Sequence, residues 1–159
     1  MFCEDFKPEG EIFDNFLMNT VIPYVENNFP VCTDRQNVAV CGSSSGGLMS
    51  FFSAFEHPEK FGYAGVFSPA FLCYTREDWA KYLSTKIVEN MPYLYIYTGN
   101  GDELEEMIFE STEMLYGLLE ESFYPYDRMN EVILFENAHN EKSWREIFPD
   151  FLHTFLSRL

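Results

Sequence analysis

The chain has 159 residues, enough for one well-packed domain, and carries 26 Asp and Glu against 10 Lys and Arg, a formal charge of −16. That surplus argues against nucleic acid or an anionic membrane surface as a partner. Four cysteines, Cys3, Cys32, Cys41 and Cys73, are scattered without metal-ligand or redox spacing, so no metal or cofactor is expected and a reduced, cytoplasmic setting is the simplest expectation. Residues 1–7 are acidic and lack the basic and apolar regions of a signal peptide, and no transmembrane run is apparent.

In chain order, the first predicted element is a helix over about 11–28, with Phe13, Phe16, Leu17, Val21, Tyr24 and Val25 spaced to lie on a sheet. A short apolar strand over 37–41, in which Cys41 reads as a buried small hydrophobe, runs into Gly42-Ser43-Ser44-Ser45-Gly46. An apolar helix follows and ends at His57-Pro58. Further strands are predicted at 63–67, 93–98 and 131–136. A helix over 103–121 directs Ile108, Leu115, Leu118 and Leu119 to the sheet, and its glutamates, Glu105 among them, read as a solvated face. The last helix carries Trp144, Ile147, Phe148, Phe151, Phe155 and Leu159 at core spacing.

A strand, a tight turn with G-x-S-x-G and a helix form the setting that presents a nucleophilic serine. Only Ser44 has glycines at both −2 and +2, and side chains at Gly42 and Gly46 would collide with the neighbouring strand and helix. The helix starts beside it, so the N–H of Ser45 is the natural first donor to a developing oxyanion. A Gly/Ser turn built for close packing explains the pentapeptide alone equally well. The decision comes from downstream residues, because a serine needs a base and the base needs an acid.

Of three histidines, His57 reads as a helix cap and His153 as a packing residue of the last helix. His139 lies in the loop after the fourth strand, where reacting groups converge in parallel α/β sheets. The acid is expected at the end of the third strand: Asp102, with Glu103 as the alternate. Helix capping predicts the same place for Asp102, so position alone does not separate the two roles. The order Ser44, Asp102, His139 is that of α/β-hydrolases.

Residues 37–50 resemble the nucleophile segment of the esterase family of α/β-hydrolases, which includes carbohydrate esterase family 1, siderophore trilactone esterases and esterase D-like enzymes. The segments 21–25, 57–62, 65–70 and 139–144 resemble, in order, the helix before the nucleophile strand, the next helix end and strand, and the histidine loop. Ser45 departs from the larger residue often found there. The resemblance implies a three-layer α/β-hydrolase-type parallel sheet with helices on both faces, in one domain over 1–159 that lacks the family's N-terminal strands. It implies a serine carboxylic ester hydrolase acting on a carbohydrate-linked acetyl or feruloyl ester. A siderophore or other small ester is the alternative substrate, and a catalytically silent fragment with an assembly role is the alternative function.

Two consequences are expected of so short a chain. The second oxyanion donor of these enzymes comes from a loop for which this sequence offers no candidate. The nucleophile strand would also keep a bare edge, which invites a homodimer built along 37–41. The apolar segment after the second strand, with Phe67, Ser68, Pro69 and Phe71, is expected to line the substrate pocket.

Overall fold

The computed structural model describes residues 6–86 and 91–158; the expectations for Cys3 and Leu159 lie outside them. Four strands, β1 (Ala39–Ser43), β2 (Tyr63–Phe67), β3 (Tyr93–Thr98) and β4 (Met129–Ile133), form one parallel sheet in the order β1-β2-β3-β4. The register sets Ser43 beside Phe67, Phe67 beside Tyr97 and Tyr97 beside Val132, so the carboxyl ends of the strands meet along one line. Helices α1 (Phe6–Phe16), α2 (Ile22–Asn28), α3 (Ser45–Glu56), α4 (Arg76–Lys86), α5 (Glu103–Glu121) and α6 (Glu141–Leu156) surround it.

Alternation along the strands sorts the two faces. Ala64, Val66, Leu94 and Ile96 point to the side of α3, α4 and α5, where Leu48, Phe51, Trp79 and Leu115 complete the larger core. Tyr63, Phe67, Tyr93, Tyr95 and Tyr97 point the other way and pack on Ile147 and Phe151 of α6. Both faces are covered, which is why β2 and β3 are buried at every position. The aromatic content is spent mainly here: Phe51 stacks on Phe55 at 4.3 Å and meets Phe71 and Trp79 edge-on at 5.2 and 5.7 Å.

Several expectations shift, the first strand among them, which runs over Ala39–Ser43 instead of 37–41. The first helix begins earlier, at Phe6, and a π-helical turn at Leu17–Val21 separates α1 from α2. The wider turn re-phases the apolar stripe. Leu17, Met18 and Ile22 pack against the core, whereas Phe13, Phe16 and Tyr24 are exposed. Strand β4 starts at Met129 and stops at Ile133, because β3 ends opposite it at Thr98; Leu134 and Phe135 then run past the sheet into solvent. Cys41 is exposed on β1 rather than buried, and Phe148 projects from α6 instead of joining the core.

Asp14 ties α1 to α3 by accepting hydrogen bonds from the Ser53 hydroxyl and lying 2.6 Å from His57 Nε2. His57 thus caps α3 through its backbone and anchors α1 through its ring. Among the described residues no helix is long and apolar enough to cross a membrane.

One titration follows from the packing of α5 on β4. Glu131 stands opposite Ile96, with one carboxyl oxygen buried and without a partner. Burial first, and then the adjacent carboxyl of Glu113, push Glu131 from 4.5 up to about 7. A carboxyl that binds its proton more tightly when folded contributes stability at low pH and loses it as pH rises through the folded value. Thermal melts from about pH 5 to about pH 8 are expected to fall with pH, and Glu131→Gln to remove part of that fall. A variant whose melting temperature tracks the parent at every pH rejects this account.

Candidate active site

The turn between β1 and α3 forces Ser44 into φ 56° and ψ −121°, a left-handed backbone that a residue with a Cβ rarely adopts. Its surroundings over-determine it. The Ser44 N–H donates to Phe67 O at 2.9 Å, and its carbonyl accepts from the N–H groups of Leu48 and Ala70, each at 3.1 Å. Ser44 stands at the N-cap of α3, yet its hydroxyl caps nothing. It faces His139 instead, with 3.0 Å between Oγ and Nε2.

Gly42 is required by contact: a Cβ there would lie 2.6 Å from the carbonyl group of Gly46. Gly46 is not, since a Cβ there meets nothing within 4 Å; the second crowded position is Gly47, 2.7 Å from Phe67 O. Half of the expectation for the flanking glycines therefore moves by one residue. Ser45 is the first residue of α3, so its N–H has no intrahelical acceptor, and it follows Ser44 directly in the chain.

His139 reaches Ser44 because two loops are laced together by their backbones. Gly101 donates its N–H to Asn137 O at 2.8 Å, and the Asn100 side chain accepts from the Glu136 N–H at 3.0 Å. Asn140 then caps α6, accepting from the N–H groups of Lys142 and Ser143. The ring of His139 meets the Trp144 indole edge-on, with centroids 5.1 Å apart.

The acid on the ring is neither Asp102 nor Glu103. The Nδ1 atom of His139 lies 2.7 Å from Oε2 of Glu105, a carboxylate with no exposed surface. Asp102 is the N-cap of α5. Its Oδ1 accepts from the Glu105 N–H at 2.8 Å and its Oδ2 from the backbone N–H of His139 at 2.7 Å. These two N–H groups, in that order, hold the Asp102 carboxyl below the ordinary carboxylate value. With its two oxygens so engaged, Asp102 positions the backbones of both partners and makes no hydrogen bond to the ring.

Glu105 was hidden among the glutamates assigned to solvent. A signal was available, because Glu105, Ile108, Thr112, Leu115 and Leu119 fall at helical spacing on one stripe and all are buried. A carboxyl on the buried stripe must find partners, and Glu105 has three. Besides His139, its Oε1 accepts from the Ser68 hydroxyl at 2.6 Å and the Gly99 N–H at 2.8 Å.

The residues expected to line a substrate pocket are largely interior. Ser68 and Phe71 have no exposed surface, and Pro69 is buried as well. Phe71 belongs to the core around Phe51, and Ser68 lies behind Glu105. Phe67 is nearly buried too, but it borders an open hollow of about 520 Å³ with Cys41, Ser43, Trp144 and Phe148. A larger cavity of about 590 Å³ lies between α1, α3 and α4, walled by Met49, Phe52, Tyr74 and Tyr82, and neither Ser44 nor His139 lines it.

The family model described as "Putative esterase" matches residues 7–155. The chain belongs to the esterase family. An endo-1,4-beta-xylanase/feruloyl esterase of Xylanibacter ruminicola is 32% identical over 110 residues, 69% of this chain and 14% of that protein. The uncharacterized protein YbbA of Bacillus subtilis is 24% identical over 151 residues, 93% of this chain and 60% of that one. The enterobactin esterase of Shigella flexneri superposes with a TM-score of 0.77 at 18% identity, covering 91% of this chain and 38% of that structure. A ferulic acid esterase of Anaeromyces mucronatus does so with a TM-score of 0.67 at 19% identity, covering 89% and 53%. The α/β-hydrolase-type fold is therefore shared, and this family member spans 14% and 60% of the length of the two curated relatives.

The elbow geometry makes a paired prediction. Gly42→Ala is expected to cost about 3 kcal/mol, the upper end for overpacking, because the added carbon meets rigid backbone. Gly46→Ala is expected to leave the melting temperature within about a degree or two of the parent or above it, since helix interiors favour alanine. Equal losses in thermal melts of the two variants contradict this reading of the turn.

Proposed function

We propose that this chain is a serine carboxylic ester hydrolase in which Ser44 is the nucleophile, His139 the general base and acid, and Glu105 the carboxylate that orients His139. The observation that carries the proposal is the unbroken line Ser44 Oγ, His139 Nε2, His139 Nδ1, Glu105 Oε2, with contacts of 3.0 and 2.7 Å. A carboxylate only accepts, so Nδ1 holds the ring proton and Nε2 offers a lone pair to the Ser44 hydroxyl. Ser44 Oγ attacks the ester carbonyl as its proton passes to Nε2. The negative charge that develops on the carbonyl oxygen meets the N–H of Ser45 and the positive end of α3. Collapse expels the alcohol, protonated by His139, and leaves an acyl-serine. A water activated by Nε2 then releases the acid and restores the hydroxyl.

Carbohydrate-linked acetyl or feruloyl esters are the proposed substrates, supported by the relative named as a feruloyl esterase at 32% identity. A small siderophore ester is the second candidate, from the likeness to an enterobactin esterase. A fluorophosphonate probe tests the chemistry independently of substrate. Labelling is expected on Ser44, lost in Ser44→Ala and His139→Ala and kept in Ser43→Ala. Glu105→Gln is expected to slow it by about three to four orders of magnitude, as loss of the orienting acid does in serine triads. Asp102→Asn is expected to slow it far less. A chain that stays unlabelled under all conditions supports the silent-fragment reading instead.

The same reading extends to assembly. Among the described residues strand β1 is paired on one side only, with β2, and its outer edge is the one that can extend the sheet. Two copies joined across this edge would form one two-fold sheet, opposed by repulsion between chains of charge −16. Sedimentation is expected to show a dimer that tightens with added salt, because screening weakens the repulsion. A monodisperse monomer at low and moderate salt rules the dimer out.

A further inference from the structure

Glu105 is wholly buried in a chain that is already strongly acidic, and what surrounds its far oxygen is more specific than burial requires. The Ser68 hydroxyl donates to Oε1 at 2.6 Å, and the Trp144 indole Nε1–H donates to the Ser68 oxygen at 3.0 Å. An indole N–H can only donate, so Ser68 must accept from Trp144 and has one hydrogen left, which can go only to Glu105. Trp144 also lies edge-on against the His139 ring, 5.1 Å between centroids and perpendicular to it. The four side chains therefore close a ring: His139 on Glu105, Glu105 on Ser68, Ser68 on Trp144, Trp144 on His139. The backbone holds Ser68 in place for this. It follows β2 directly, its N–H donates to Tyr97 O at 2.7 Å, and its φ is 39°, a strained value for a serine.

We infer that Ser68, with its direction set by Trp144, is a positioning residue of the site. By donating to Oε1 beside the Gly99 N–H it helps fix the rotation of the Glu105 carboxylate, leaves Oε2 to His139 alone, and replaces part of the hydration that Glu105 lost on burial. This rests on the reading of Ser44, His139 and Glu105 as the reacting line. Its own content is that Ser68 and Trp144 act on Ser44 through Glu105 and not through the packing of the sheet.

Three physical consequences follow. Removing the Ser68 hydroxyl leaves Oε1 held by the Gly99 N–H alone and loosens the carboxylate, so the reactivity of Ser44 falls, while ligand affinity stays because Ser68 has no exposed surface to offer a ligand. With one donor fewer on Oε1, the negative charge of Glu105 falls more fully on His139. That change is read in the acid limb of the labelling profile against pH. Finally, a residue that works only through Glu105 has nothing left to do once Glu105 is gone.

The experiment measures the rate of fluorophosphonate labelling of the full chain against probe concentration and pH. Ser68→Ala is expected to lower the maximal labelling rate about tenfold, as loss of a hydrogen bond to a charged group does. The half-saturating probe concentration should stay unchanged and the acid limb should shift upward. Trp144→Phe, which keeps the ring edge on His139 but lacks the N–H, is expected to shift the limb the same way with a smaller rate loss. In the Glu105→Gln background Ser68→Ala is expected to add nothing. Additive losses in the double variant, or an unmoved acid limb in Ser68→Ala with only a lowered melting temperature, overturn the inference. If Glu105→Gln alone labels like the parent, the reading of the reacting line fails first; if it is slow and Ser68→Ala is not, only the inference about Ser68 fails.

Discussion

Everything at the carboxyl edge depends on the backbone ladder running one bond further than the strands. Beyond the paired residues, Ser44 N–H still donates to Phe67 O, Ser68 N–H to Tyr97 O and Leu134 N–H to Thr98 O, at 2.9, 2.7 and 3.1 Å. Each bond ties the first residue after a strand to its neighbour. The points at which the chain leaves the sheet are thereby set with the precision of the sheet itself. Ser44 and Ser68 leave through left-handed backbone, at φ 56° and 39°, which turns the chain sharply upward. Residues distant in sequence meet because their departures are held in register, while the loops beyond are comparatively free to vary.

The second organising fact is how a buried carboxylate is tolerated. Desolvating an ion with no partners is costly enough that proteins avoid it. Glu105 sits on the apolar stripe of α5 between Asp102 and Ile108 and is compensated from three directions: a hydroxyl, a backbone N–H and an imidazole. The first turn of α5 also bears the positive end of the helix dipole, which favours a negative group there. A chain with this excess of acidic residues can still hold one of them in the interior, because both of its oxygens meet donors there.

Most of the sheet could be read from the sequence, since β2 and β3 are short unbroken apolar runs bounded by turn residues. Ser44 and His139 were legible for a different reason: glycine spacing and a loop after a strand leave marks in the chain. Glu105 left a weaker mark. It stands in a run of glutamates whose charge suggested solvent, and only its phase with Ile108, Thr112 and Leu115 betrayed that it points inward. Asp102 stands at the turn to which the sequence points, yet its partners are the N–H groups of Glu105 and His139, since capping and orienting an imidazole call for the same residue type at the same spot. Phe13, Phe16 and Tyr24 misled for want of any sign of the π-helical turn, whose one-residue change of pitch no hydrophobic pattern announces. Ser68 and Phe71 were assigned to a pocket because an apolar loop after a strand usually faces one; here the loop folds under α5 and α6.

The carboxylate of Asp102 joins two pieces of chain that the sequence separates by 37 positions: the first turn of α5 and the backbone of His139. Mechanically it is a rivet through two plates. Because one of its oxygens holds the Glu105 N–H and the other the His139 N–H, the carboxyl beside the ring and the ring itself are mounted on one side chain. The alignment of the site is a property of that shared mount more than of the side chains it carries.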